Sequence, residues 1–341
     1  MNKYSKTSSF YRSVKLDYFS ENEKHLQKAR DQNKIYMAQP KRQCCKICET
    51  ALPKNVDFNS HQIDYIFCTN CNHLNGIYDD TISFVKEIYL KDDGDNYATE
   101  YFDEKYLQRT KDIYLPKVEF LDSSVQEENY KVLDVGCGSG YFALGCLLKN
   151  ISISGFDVSK KQIEFGNNRI NSHKEQKKPL YAVTEEAFFD EIKNTNADVI
   201  SAVGVIEHLR EPQKFFKAFK LSGAKYLFYS VPMFSFSVVL ENMFENVFPR
   251  QLHGDHTHLF TEQSIKELND RLGVKSVNEW RFGADIMDLY RATLVNLQKN
   301  NSSPKMIKFV DEGFATKIDE MQSVLDMNHF CSEIHVVAAK L

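Results

Sequence analysis

The stretch KVLDVGCGSGYFALG, from Lys131 to Gly145, decides the fold of this chain. Its apolar, β-branched start predicts a strand, and residues 141–148 predict a buried helix. The turn between them contains three glycines: Gly136, Gly138 and Gly140. Glycine lets the backbone turn sharply and lets a ligand come close, which a Cβ atom would obstruct. The stretch therefore predicts a strand, a ligand-binding turn and a helix.

The spacing of the glycines and the preceding acidic residue distinguish two kinds of ligand. A dinucleotide pyrophosphate is bound by G-x-G-x-x-G at a helix N-terminus, whereas this chain has G-x-G-x-G. Asp134 would repel a pyrophosphate but suits a cation, such as the α-ammonium group of S-adenosylmethionine. The pattern D-x-G-x-G-x-G resembles motif I of the class I S-adenosylmethionine-dependent methyltransferases. An ordinary Rossmann-type turn that binds another nucleotide is the alternative.

Strand and helix patterns alternate after this stretch. Six further segments have strand patterns: ISISGFDV (151–158), PLYAVT (179–184), ADVISAVGVIEHL (197–209), KYLFYSVP (225–232), VKSVNEWRF (274–282) and EIHVVAAKL (333–341). Such alternation predicts an α/β fold with helices on both faces of the sheet. The resemblance makes the last two segments the antiparallel sixth and seventh strands of a Rossmann-like, seven-stranded methyltransferase sheet.

The resemblance implies S-adenosylmethionine as the cofactor. Asp157 ends the second strand, where an acidic group hydrogen-bonds a ribose diol in folds of this kind. A helix N-cap is its alternative role, although Ser159 already suits that role. In the family, aromatic residues from the preceding segment can cover the cofactor, which makes Tyr101 a candidate. The expected cofactor-binding residues are Tyr101, Asp134, Gly136, Cys137, Gly138, Gly140, Asp157, Val158 and Val203.

Two C-x-x-C motifs precede this domain. Nineteen residues separate the two pairs, Cys45 and Cys48, and Cys68 and Cys71. This spacing predicts a zinc ribbon, in which two turns hold a tetrahedral site with Zn–S bonds of about 2.3 Å. Four protein ligands leave no open position, so we expect a structural zinc ion. Cys44 could replace Cys45, and His73 is a less favoured substitute. Disulfides are disfavoured because cytosolic thiols stay reduced and we find no secretory signal.

Composition divides the chain into four predicted parts. The first fifty residues have eleven Lys and Arg against five Asp and Glu, in a chain of net charge −4. The parts are a basic helical arm (1–42), the zinc ribbon (43–78), a helical connector that covers the cofactor (79–128) and a methyltransferase domain (129–341) with insertions at 232–258 and 283–331. The arm could dock on nucleic acid, a membrane surface or a phosphorylated substrate carrier, although a solvated helix is the simpler interpretation. The insertions could form core, dimer contacts or a lid.

The ribbon, the tyrosine-rich connector and motif I together resemble a subgroup of bacterial methyltransferases that act on sugars, over roughly residues 44–282. The subgroup includes the deoxysugar C-methyltransferases of antibiotic and surface-polysaccharide pathways, which carry a large additional C-terminal domain. Here only about sixty residues follow Phe282. This departure favours O-methylation of a saccharide hydroxyl over C-methylation of a nucleotide-linked deoxysugar.

Two pairs of polar residues are candidates for binding and activating the methyl acceptor. Glu207 and His208 follow the fourth strand, and the segment DHTHLFT supplies His256 and His258. Methyl transfer needs the donor and the hydroxyl aligned and a proton removed, which suits imidazole near neutral pH. Each residue also has a structural alternative: a core or helix-start histidine for His208, and a bond to a backbone amide for Glu207. The histidine cluster favours hydrogen bonds to substrate over a catalytic metal, which would need more carboxylates.

The sequence gives less support to two other functional classes. The acidic balance outside the arm, and the lack of interleaved aromatic and basic residues, argue against an RNA methyltransferase. The intact glycines and both aspartates argue against a non-catalytic interaction subunit that has lost the cofactor. The sequence has no run of eighteen apolar residues and no signal-peptide core. We therefore expect a soluble cytoplasmic protein whose partner is a free or carrier-linked saccharide.

Overall fold

The computed structural model describes residues 2–8, 20–90, 105–174, 178–254 and 256–341. Two sheets contain the strands of these residues. In chain order the strands are β1 (Lys3–Tyr4), β2 (Phe58–Ser60), β3 (Ile63–Phe67), β4 (Leu74–Gly76), β5 (Lys131–Val135), β6 (Ser152–Asp157), β7 (Leu180–Ala182), β8 (Val199–Val203), β9 (Tyr226–Pro232), β10 (His258–Leu259), β11 (Val274–Phe282) and β12 (Glu333–Lys340).

Helices precede and separate these strands. The α-helices are α1 (Asn22–Met37), α2 (Ile82–Val85), α3 (Tyr106–Arg109), α4 (Leu115–Asp122), α5 (Tyr141–Leu148), α6 (Lys160–His173), α7 (Phe188–Lys193), α8 (Pro212–Leu221), α9 (Phe236–Met243), α10 (Glu262–Leu272), α11 (Asp285–Lys299), α12 (Pro304–Phe314) and α13 (Ile318–Met327). Two π-helical segments continue α2 and α3, Lys86–Leu90 and Thr110–Tyr114, and a 3₁₀ turn covers Ile206–His208. None of the helices in the described ranges is long and apolar enough to cross a membrane.

The main sheet has the order β1-β11-β12-β9-β8-β5-β6-β7. Strands β5 to β9 pair in parallel, and β12 runs antiparallel to both β9 and β11. This confirms the α/β methyltransferase fold predicted from the sequence. Helices cover both faces: along β9, Leu227 and Tyr229 join the apolar cluster that includes α8, while Phe228 joins the one that includes α5. The alternation follows from the two-residue period of a strand.

The sheet has one strand more than the seven expected. Lys3–Tyr4 pairs in parallel with β11, opposite Trp280 and Arg281. The indole Nε1 of Trp280 donates to the carbonyl of Ser5 at 2.9 Å, which fixes the chain just after the strand. The helical expectation for residues 1–42 is therefore wrong at its start. Helix α1 buries a stripe, which includes Leu26, Ala29 and Tyr36, rather than standing free in solvent.

The second sheet belongs to the predicted ribbon and has the order β10-β4-β3-β2. Its fourth strand, β10, comes from the distant stretch around His258, which pairs with Asn75 while Leu259 pairs with Leu74. The sheet next to the cysteine motifs is thus completed by a strand from the C-terminal half of the chain. This pairing, with the bridge from Phe260 to Met233 just after β9, places residues 256–261 between the ribbon and the carboxyl edge of the main sheet.

Candidate functional site

The glycine turn lies at the carboxyl end of β5, the edge where open parallel sheets bind ligands. Gly136, Gly138 and Gly140 have positive φ angles of 62°, 51° and 73°, a region that favours glycine. A Cβ atom on Gly140 would lie 2.5 Å from Cδ1 of Leu180, so a larger residue here would also force the Leu180 side chain to shift. Gly140 serves as the N-cap of α5.

Asp157 fastens this turn to the end of β6. Its carboxylate accepts hydrogen bonds from the backbone N–H of Gly138 at 3.0 Å and from that of Ser159 at 2.8 Å. The N-cap of α6 is Ser159, whose hydroxyl accepts from the N–H of Gln162. Burial raises the pKa of Asp157, although the two backbone bonds favour its charged form. Asp157 therefore places a carboxylate against the turn and does not cap the helix.

Asp134 is buried on β5 beneath the same turn. The hydroxyl of Ser201 donates to its carboxylate at 2.6 Å. Burial raises the pKa of Asp134 to about 7, so near neutral pH this carboxyl responds to any charge placed beside it.

A cleft of about 820 Å³ opens along this edge of the sheet and joins the glycine turn to the end of β8. It brings together most of the residues that the sequence predicted. The predicted residues that line it are Asp134, Gly136, Cys137, Gly138, Asp157, Val158, Val203, Glu207, His208 and His256. Gly140 and His258 are not in the lining, and Tyr101 and Asp255 lie outside the described residues.

Glu207 and His208 occupy the 3₁₀ turn after β8 and line the same cleft as the glycine turn. The ring of His208 stacks on that of His256 with centroids 5.2 Å apart, and His253 stacks on the other side of His256 at 5.3 Å. Glu207 is 7% exposed, and burial raises the pKa of its carboxyl to about 8. Within the described part of the chain its Oε2 atom has no hydrogen-bond partner. This wall therefore offers a carboxyl that stays protonated at neutral pH beside an imidazole.

Lys117 is a cleft residue that the sequence did not reveal. It is 9% exposed, lines the cleft and lies with its ammonium group 5.2 Å from the ring centre of Tyr114. Burial lowers its pKa to about 8, against the opposing influence of the Glu333 carboxylate. A single lysine on a helix with both polar and apolar residues ordinarily faces solvent. The sequence therefore gave no sign that Lys117 lines a cleft. Three further lining residues were missed in the same way: Arg250, Gln251 and Ser332.

His258 is 1% exposed and lies behind the cleft wall. Its Nε2 atom is 2.9 Å from the carbonyl oxygen of Glu207, and its Nδ1 atom is 2.8 Å from Nε2 of His73. Burial lowers the pKa of both imidazoles well below the ordinary value, so both are neutral. The expectation that His258 touches substrate does not fit this position, because the side chain is buried, bonds to the Glu207 backbone and does not line the cleft.

The four predicted cysteines converge in the ribbon. Sγ of Cys45 lies 3.6 Å from that of Cys71, and Sγ of Cys48 lies 3.4 Å from that of Cys68. All four ligand atoms are within 4.8 Å of one another and buried, so the cluster could hold a metal ion. Tetrahedral Zn–S bonds imply S···S separations of about 3.8 Å, which these distances approach.

The two alternative ligands lie elsewhere. Cys44 is exposed, and its backbone pairs with Ala51 across the first knuckle. His73 bonds to His258 and to the hydroxyl of Ser264 at 3.2 Å. Around the cluster, the amide of Asn75 donates to Sγ of Cys45 at 3.7 Å. The geometry therefore selects Cys45 and leaves Cys44 and His73 outside the sulfur cluster.

Comparisons with known proteins identify a family and relatives that match part of the chain. A family model described as a methyltransferase domain matches residues 98–279. Over 97 residues the chain is 40% identical to a tRNA U34 carboxymethyltransferase of Nautilia profundicola, a match that covers 27% of this chain and 30% of that protein. Over 146 residues it is 26% identical to a ubiquinone biosynthesis O-methyltransferase of an Azoarcus species, covering 40% and 61%. The matches thus span less than two thirds of either relative.

Among solved structures, the chain is similar to a magnesium protoporphyrin IX methyltransferase from Synechocystis, whose crystal structure has bound SAH. The sequence identity is 13% and the TM-score is 0.48, over 76% of this chain and 100% of that one.

Proposed function

We infer that this chain, which belongs to the methyltransferase domain family whose model matches residues 98–279, transfers a methyl group from S-adenosylmethionine. When bound, this cofactor supplies a methyl group on a positively charged sulfur. The chain's own residues must therefore bind the cofactor, orient an acceptor and remove a proton.

The residues around the glycine turn fit S-adenosylmethionine. Asp134 offers a carboxyl for the α-ammonium group, and a cation beside it would favour its charged form despite burial. Asp157 offers acceptor oxygens for the ribose diol, and its bond to the N–H of Gly138 keeps the carboxylate at the turn. Phe188 and Phe189 line the same cleft with aromatic rings on which a purine can stack. We assign cofactor binding to this half of the cleft.

We propose that the acceptor is a saccharide hydroxyl and that His208 removes its proton. Imidazole changes charge near neutral pH, and the ring of His256 against His208 restricts its orientation. Glu207, with a pKa raised to about 8, keeps its proton at pH 7 and can donate a hydrogen bond to the acceptor oxygen. Gln251 and Ser332 add polar side chains to the lining, and such groups suit a ligand that carries hydroxyls. The name of the Azoarcus relative, an O-methyltransferase, supports oxygen over carbon as the acceptor atom.

One observation carries this proposal: a single cleft joins the glycine turn to Glu207, His208 and His256. The test is transfer of labelled methyl from S-adenosylmethionine into an extract of the source cells, fractionated into sugar, lipid, RNA and protein pools. We expect label in a nucleotide-sugar or glycan pool, and a loss of about 100-fold or more in His208→Ala, the usual scale for a general base. His173→Ala is the matched control, because His173 is exposed at the end of α6. Label in no sugar-containing pool would overturn the proposal.

RNA is the second candidate acceptor. The observation that favours it is the 40% identity, over 97 residues, to a protein named as a tRNA-modifying enzyme. In the same extract experiment, label in the RNA pool that disappears in His208→Ala would select this candidate. A steep fall of RNA affinity with rising salt would accompany it, since phosphate contacts release counterions.

We also propose that the four cysteines bind one zinc ion with a structural role. The sulfur atoms lie within 4.8 Å of one another, and all four residues are buried in the apolar cluster shared with α8. Closed Cys₄ sites of this kind stabilise a small module and leave no position for substrate. The zinc content of the purified protein, near one equivalent, is the measurement that tests it.

A further inference from the structure

A continuous chain of hydrogen bonds connects the ribbon to the turn that carries Glu207 and His208. The Ser264 hydroxyl is 3.2 Å from Nδ1 of His73, Nε2 of His73 is 2.8 Å from Nδ1 of His258, and Nε2 of His258 is 2.9 Å from the Glu207 carbonyl oxygen. A carbonyl can only accept, so Nε2 of His258 carries the proton and its Nδ1 accepts from His73. Both imidazoles are fully buried, at 0% and 1% exposure.

The ribbon determines where the two imidazoles lie. His73 follows Cys71 by two residues, and its carbonyl accepts from the N–H of Cys68 at 2.9 Å and from the Asn75 amide at 2.8 Å. His258 lies on β10, directly opposite Asn75 in the ribbon sheet. Both histidines are therefore attached to the same small sheet, next to the second cysteine knuckle.

The 3₁₀ turn at the other end of this hydrogen-bond chain is short. Ile206–His208 is a three-residue 3₁₀ turn, anchored by backbone bonds from the N–H of His208 to Val205 and from the N–H of Leu209 to Ile206. So short a turn has few internal bonds, and the bond from His258 adds an anchor at its middle residue. Because a buried carbonyl that loses its donor is costly, this bond restricts the turn strongly.

We propose that His258 and His73 are positioning residues through which the ribbon holds the Glu207–His208 turn against the cleft. Neither imidazole touches substrate. The ribbon then serves methyl transfer by fixing the acceptor wall, and not only by stabilising the N-terminal part of the chain. This inference rests on the proposed function in that Glu207 and His208 serve the acceptor.

Two substitutions of His258 by amide side chains of different length test the proposal. In His258→Gln the amide nitrogen can occupy the position of Nε2 and still donate to the Glu207 carbonyl. In His258→Asn the amide ends near the position of Nδ1, so it can pair with His73 but is too short for Glu207. Hydrogen–deuterium exchange of residues 204–209 is measured on the full-length, zinc-loaded protein. We expect exchange about tenfold faster or more in His258→Asn, and close to wild type in His258→Gln.

His61→Asn is the matched control. His61 is another buried ribbon histidine whose Nε2 bonds to a backbone carbonyl of the main domain, that of Val247, at 3.1 Å. Val247 does not line the cleft. We expect this variant to lose stability without faster exchange at residues 204–209. Equal exchange in His258→Asn and His258→Gln, or equal acceleration in His61→Asn, would refute the positioning role.

A comparison of kcat with cofactor affinity separates a positioning role from general destabilisation of the protein. The substrate for this assay is unmethylated material from the pool that takes up label in the extract experiment. We expect His258→Asn to lower kcat at least tenfold. The Kd for S-adenosylmethionine, measured by calorimetry, should stay within about twofold of wild type. His258→Gln should recover most of kcat. If no acceptor pool is labelled, the proposed function fails, but the exchange experiment still decides between the two outcomes.

Discussion

At the scale of single residues, the site depends on carboxyl groups that the fold places in different surroundings. Asp157 accepts two backbone N–H groups and holds the glycine turn, whereas Glu207 is buried with an unpaired oxygen. Burial raises the pKa of both carboxyls, but at Asp157 the two backbone N–H groups oppose that effect, whereas at Glu207 the pKa rises to about 8. We therefore expect the two residues to have different roles, although both lie at the carboxyl edge of the same sheet.

Asp157→Ala should weaken cofactor binding. Hydrogen bonds to charged groups contribute about 1.5–3 kcal/mol, so we expect the Kd for S-adenosylmethionine to rise roughly tenfold or more. Isothermal calorimetry measures this directly. The matched control is Asp198→Ala: Asp198 also accepts a backbone N–H, that of Lys131 at 3.0 Å, but at the opposite end of β5. A Kd that changes equally in both variants would contradict the assignment.

Glu207 should make stability depend on pH. The folded protein holds its proton up to about pH 8, whereas the unfolded chain releases it near the ordinary value of 4.5. The folded state therefore binds more protons between these values, and the free energy of unfolding falls as pH rises through this window, by up to roughly 1.4 kcal/mol per unit. Denaturant titrations at pH 5.5 and 8.5 should show a smaller fall in Glu207→Gln. Parallel behaviour of wild type and variant would exclude this role for Glu207.

At the scale of elements, most of the architecture could be predicted because it depends on local patterns. The glycine turn, the strands after it and the C-x-x-C knuckles each show their character within about ten residues. Strand β1 could not be predicted, because two residues are too few for any periodicity and its pairing with Trp280 is decided by the distant end of the sheet. The bond between His73 and His258 was missed for the same reason: 185 residues separate the partners.

The ribbon should lose its metal when one cysteine is removed. We expect about one zinc ion per chain by elemental analysis in wild type and in Cys44→Ala, and a clear loss in Cys48→Ala. Because structural zinc contributes directly to folding, the unfolding midpoint of Cys48→Ala should fall by roughly 10 °C. Cys44 is the appropriate control because it is adjacent in sequence to Cys45 but exposed. Zinc loss in Cys44→Ala alone would reassign the ligands.

At the scale of the whole molecule, the ribbon and the methyltransferase sheet share one interior. The four cysteines belong to the same apolar cluster as Phe215 and Phe216 of α8 and Leu268 of α10. Arg271 of α10 also donates to the carbonyl of Cys48 at 2.6 Å. Because these contacts cross from one part to the other, we expect the two parts to unfold together.

Trp280 is the chain's single tryptophan, and it lies on β11, remote in sequence from the cysteines. We expect a chelator such as 1,10-phenanthroline to lower the unfolding midpoint reported by Trp280 fluorescence, by several degrees or more. The reason is that metal loss loosens a ribbon that packs on the main core. An unchanged Trp280 midpoint, with zinc shown to be released, would mean that the two parts unfold independently.

The pairing of β10 with β4 also governs how the chain is assembled during synthesis. Both cysteine knuckles leave the ribosome early, but His258 and Leu259 follow β4 by about 180 residues, or roughly 10–40 s of translation at usual rates. During that interval one edge of β4 lacks its native neighbour, and an unpaired edge can pair with another chain. Nascent ribbons on neighbouring ribosomes are thus exposed to mispairing until the second half of the protein emerges. Slow translation through residues 77–257 should lower the soluble yield.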